Sequence, residues 1–111
     1  MNPSTKNEEA VEIIAGAARL LHQAALPRGH EFIDIYLASG AALASQHALW
    51  LLPQNVDVEA VPTPVATDPI ELIRAAETLL GQLPDGAYAL VPGLAGLVAD
   101  VCALVRDCRA A

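Results

Sequence analysis

Two segments of the chain follow one plan. Val11-Glu12-Ile13-Ile14-x-x-Ala17-x-x-Leu20-Leu21-x-Gln23 matches Ile70-Glu71-Leu72-Ile73-x-x-Ala76-x-x-Leu79-Leu80-x-Gln82 in register. Each segment runs into a similar turn, Leu26-Pro27-Arg28-Gly29 in the first and Leu83-Pro84-Asp85-Gly86 in the second. The apolar positions recur at helical intervals, and proline followed by glycine stops the helix. Alanine- and leucine-rich helices can resemble one another by chance. The shared Glu, Gln and Leu-Pro-x-Gly in register instead favour duplication of a helical hairpin. Turns this short leave no room for a crossover, so each pair of helices must run antiparallel.

The remaining boundaries follow from local chemistry. Thr5-Lys6-Asn7-Glu8 has the pattern of a capping box and predicts the start of helix 1. A second apolar run extends from about residue 30 to Leu52 and stops at Pro53. Three prolines within residues 53–67, Pro53, Pro62 and Pro64, exclude a helix there and mark a linker. Asp68-Pro69-Ile70-Glu71 then offers a cap, a proline suited to the first helical position and an acid facing the positive end of the helix dipole. A fourth helix is expected over roughly 87–109, with a kink or a late start at Pro92. The expected fold is therefore all-α: a four-helix bundle made of two antiparallel helical hairpins, residues 6–52 and 68–109, in one domain with a Pro-rich central linker. A length of 111 residues suits one core and not two.

Charge narrows the partners. Thirteen Asp and Glu against six Lys and Arg give a formal charge of −7, and the basic residues are scattered. That balance argues against nucleic acid, whose binding depends on neutralising phosphates. Residues 86–105 are apolar enough to be weighed as a membrane span, but Pro92, Gly93, Gly96 and Asp100 interrupt them. No membrane association is expected. The first residues lack the cationic start and apolar run of a secretory signal. Cys102 and Cys108 are spaced so that one helix holds them too far apart to bridge. Free thiols and the absence of a signal point to the cytoplasm.

Projection at about 100° per residue sorts the faces. Glu12, Arg19 and Gln23 fall on the outer side of helix 1, as do Glu71, Thr78 and Gln82 on helix 3. On helix 2, Phe32, Tyr36, Leu43, His47 and Trp50 share one stripe beside Ile33, Gly40 and Leu51. Three of the chain's four aromatic residues stand there. Small residues from Ala38 to Ser45 surround the stripe and would let a partner helix approach closely. Glu77 falls at the edge of the apolar face of helix 3. On helix 4 the expected core stripe is Leu94, Val98, Val101, Cys102 and Val105, with Asp100, Ala103 and Asp107 outward.

Tyr36, His47 and Glu77 are thus the titratable side chains expected inside. They could form a pocket with Trp50 in which His47 acts as base or ligand and Glu77 orients it. The plainer expectation is a buried hydrogen-bond network, since a catalytic site brings together more polar groups than these. No other constellation carries chemistry. His30 and Asp34 lie one turn apart, but a metal site needs more ligands. There is no Glu-x-x-His, no phosphate-cradling loop and no nucleophile elbow, so no metal or cofactor is expected. Gly93-Leu94-Ala95-Gly96 suits helix packing. The leading expectation is a small, acidic, non-catalytic interaction module (a regulator, adaptor or immunity-type binder) that pairs with itself or with another protein through Phe32, Tyr36, Gly40, Leu43 and Trp50. The alternative is a small-molecule binder or minor enzyme using a core pocket around His47.

Overall fold

The computed structural model describes residues 3–25, 35–53, 56, 68–84 and 86–110. All regular structure among them is helical: α1 (Pro3–Ala25), α2 (Ile35–Leu51), α3 (Pro69–Leu80), α4 (Ala87–Leu90) and α5 (Leu94–Ala110). The five helices pack together. α1 lies against both α2 and α3, and α5 lies against the same two. The short α4 touches α1 and α5. Among the described residues, no helix is long and apolar enough to cross a membrane. Most of the 53–67 linker, and the His30–Asp34 pair, lie outside the described residues.

Local chemistry explains the boundaries, including two that differ from expectation. α3 begins as its sequence predicts: the Asp68 carboxylate accepts from the Ile70 N–H at 3.1 Å, with Pro69 first in the helix and Glu71 in its first turn. α1 already runs through Thr5, so Thr5 is not its cap. Pro3 opens the helix, where a missing N–H costs nothing because no intrahelical acceptor would serve it. The single helix expected over 87–109 is two. Val91 is extended at φ −124°, Pro92 follows, and Gly93 sits at φ +90° before α5 starts at Leu94. Gly86 enters α4 at φ +85°. Both glycines occupy the left-handed region that a Cβ disfavours.

The core shows the period expected of α1 and α3. Ile14, Ala17 and Leu21 are buried, and so are their partners in the repeated pattern, Ile73, Ala76 and Leu80. Glu12 and Glu71 are exposed. Two glycines act as notches between helices. A Cβ on Gly16 would lie 2.7 Å from the Leu79 Cδ2 atom, and one on Gly40 would run into Leu104 Cδ2. α5 buries Leu94, Leu97, Val101, Leu104 and Val105. Val98 and Cys102, expected in that stripe, are only partly buried; Leu97 and Leu104 take the inward places because α5 faces α2 as well as α3.

α2 departs most from the projection. Its buried positions are Ala41, Ala44, Ser45 and Ala48. Leu43 and Trp50, expected to turn inward, face out. The reason lies in the neighbours: close contact with α1 requires a side of α2 that carries only small side chains. Ser45 is the one buried polar residue on that side, and its hydroxyl donates to the Ala18 carbonyl of α1 at 3.1 Å. An unmade hydrogen bond there would cost about 1–3 kcal/mol.

Candidate functional site

The site grows from the seam between α2 and α5. Leu104 packs over Gly40, His47 lies against Gly96, and Leu51 meets Gly93. Residue numbers therefore rise along one helix as they fall along the other, so the two run in opposite directions. Because Gly40 and Ala44 carry little or no side chain, the outer edge of this seam stays open. A groove of about 450 Å³ remains, lined by Ser39, Gly40, Leu43, Ala44 and His47 of α2 and by Asp100, Ala103, Leu104 and Asp107 of α5. Its floor is apolar and one wall bears two carboxylates.

His47 is not an interior histidine. Its side chain is 33% exposed, and Nδ1 lies 3.6 Å from the Asp100 Oδ2 atom, which is itself on a side chain 65% exposed. Ion pairing at such exposure, and only with a protonated ring, contributes little to stability. The opposite edge of the ring lies over the start of α5: a Cβ built on Gly96 would be 3.5 Å from Cε1, and one on Gly93 3.8 Å from Nε2. Both ring nitrogens thus face α5, one toward a carboxylate and the other toward the glycine turn. Both Cβ distances are ordinary van der Waals contacts, so neither glycine is needed to admit the imidazole; the tighter approach is of Gly93 to Leu51, where a Cβ would lie 3.1 Å from Cδ2.

Glu77 does not orient His47. It accepts a hydrogen bond from Cys102 on α5. Burial pushes the Cys102 thiol above its usual range, and the Glu77 hydrogen bond and negative charge push it further, against a smaller opposing pull from Arg106. Cys102 is a free thiol, and these influences favour its protonated form.

The named candidates therefore divide. Gly40, Leu43 and His47 meet in the groove; Trp50 and Glu77 do not line it. The side chains of Tyr36 and Phe32 lie outside the described residues. Trp50 is 88% exposed, Leu43 70% and Leu49 44%, which corrects the inward stripe to an outward apolar face. Projection missed Asp100 and Asp107 as members of the same site. The two acids stand two turns apart on one side of α5, a signal legible in the sequence, but nothing in the sequence says that α2 lies beside them. Among the described residues, no group of three or more His, Cys, Asp and Glu could hold a metal ion. Compared with family models, curated proteins and solved structures, the chain finds no match.

Proposed function

We propose that this chain is a non-catalytic protein-interaction module of the regulator or adaptor kind: a four-helix bundle of two hairpins whose working surface is the outer face of α2. One observation carries the reading. Leu43, Leu49 and Trp50 are large apolar side chains left exposed on a helix whose inward face is built of alanine and serine. Leu43 and Trp50 stand two turns apart on one side of α2, and leaving each in water forgoes roughly 1.5–3 kcal/mol of burial; exposed large apolar groups on one side of a helix mark an interface. Tryptophan is also among the residues that most often anchor protein contacts. The occupant is a second copy or another protein.

Capture from the cell of origin with the wild-type chain and Trp50→Ala side by side tests this. A partner, or a second copy, held by the wild type and lost by the variant supports the interface. Equal recovery with both removes it. Circular dichroism on both chains separates lost contact from lost fold.

A second reading rests on the groove itself, whose volume of about 450 Å³ falls within the range of small-molecule sites. In it, a ligand lies over Leu104 beside His47. His47→Ala separates the two: loss of ligand binding in a folded chain favours the pocket, whereas partner capture that survives the change favours the interface.

A further inference from the structure

The outer face of α2 and the groove beside it form one surface with two unlike sides. From the directions of the helices, the order along it is Asp107 beside Ser39, Leu104 over Gly40, then Leu43, then His47 with Asp100, and finally Leu51 at the glycine turn, with exposed Trp50 two turns on from Leu43 along α2. That stretch covers α2 from Ser39 to Trp50, roughly 16 Å at the helical rise, about three turns. The α2 side carries Gly40, Leu43 and Ala44 between Ser39 and His47. On the α5 side the charges are the carboxylates of Asp100 and Asp107, and among the described residues no Lys or Arg lines the groove. Arg106, the cation nearest in sequence, acts on Cys102 at the other side of α5.

We infer that this surface receives a basic amphipathic helix from another protein, which seats one large apolar side chain over Leu104, packs its apolar stripe on Leu43 and Trp50, and sets lysine or arginine against Asp100 and Asp107. The inference rests on the interaction reading above and names its occupant. Charge decides against a second copy. Another chain of net charge −7 would bring like charges to a groove wall that, among the described residues, offers two carboxylates and no Lys or Arg. Apolar anchoring along one helix stripe, with cations flanking it, is what a groove of this shape and charge recognises.

The test uses the full chain and three synthetic peptides of about 18 residues, long enough to span the surface as helices. One is a leucine/lysine amphipath, one its leucine/glutamate counterpart, and one a lysine/serine sequence with the charge but no apolar stripe. Trp50, the only tryptophan, reports occupancy through a blue shift of its emission, and calorimetry gives the affinity. The leucine/lysine peptide alone is expected to bind. Asp100→Asn with Asp107→Asn should weaken it about tenfold, the loss of two rim ion pairs, and should flatten its salt dependence. Glu12→Gln with Glu71→Gln removes the same charge from exposed sites elsewhere and should change the affinity less than about twofold. All four changed positions are exposed, and circular dichroism confirms that the variants fold. Binding of the glutamate peptide, equal weakening by the two double variants, or no peptide bound overturns the proposal. So does a stable dimer whose Trp50 is already shielded, but that result leaves the interaction reading standing. The interaction reading itself falls only if capture is indifferent to Trp50→Ala.

Discussion

In α1 the bulky side chains Ile14, Leu20 and Leu21 are buried while Glu8, Glu9 and Glu12 meet water; in α2 Ala41, Ala44, Ser45 and Ala48 are buried while Leu43, Leu49 and Trp50 meet water. The two helices lie against one another, yet one buries bulky side chains and the other small ones. α1 is stabilised by burying large apolar surface. α2 contributes by close approach, with Gly40 admitting Leu104 and the Ser45 hydroxyl donating to the Ala18 carbonyl of α1. The difference teaches that a helix apolar all round can be assigned to a face only by what it packs against. The bulkier stripe is not automatically the buried one.

Three substitutions probe this contrast. The largest effect is expected where bulk is buried: Leu72→Ala in α3, whose side chain is fully buried, should cost about 3 kcal/mol as a cavity opens, read as a drop in urea midpoint. A loss under about 1 kcal/mol would mean that the bulk buried by α3 is not a main source of stability. Next comes the inverse change on the flat face. Ala48→Leu should cost about 2 kcal/mol by overpacking against α1, although leucine is a good helix former. A neutral result would show that α2 does not need small residues inward. Smallest is Leu43→Gln, which should shift the stability of the isolated chain by no more than about 0.5 kcal/mol, because the side chain is already largely in water. A large loss there would show that a second copy covers the face in solution, and light scattering on the same samples would report it.

How legible the molecule was in its residues varies by element. The start of α3 could be read outright, because Asp68, Pro69 and Glu71 act within one turn and need no neighbour. The buried positions of α1 and α3 were also legible, since Glu12 and Glu71 mark the wet side of a helix whose other side is apolar. α2 has no such marker: its outer face carries Leu43 and Trp50 where α1 carries acids, and projection took bulk for burial. The groove was legible only in part. Gly40, Leu43 and His47 were singled out, but Asp100 had to be placed beside His47 by the antiparallel passage of α5, and Glu77 was drawn instead to Cys102. The division at Pro92 was foreseen as a bend or late start, and Gly93 in a left-handed conformation makes it a full break.

Residues acting over a turn or two determined by themselves that the described chain is helical, where α3 begins and which faces of α1 and α3 shed water, because capping, proline geometry and amphipathic period are local forces. Only the tertiary structure decided which side of α2 is covered, which carboxylate meets His47 and where an open groove remains. Those outcomes depend on how closely two helices can approach, a property of paired surfaces that no single segment carries.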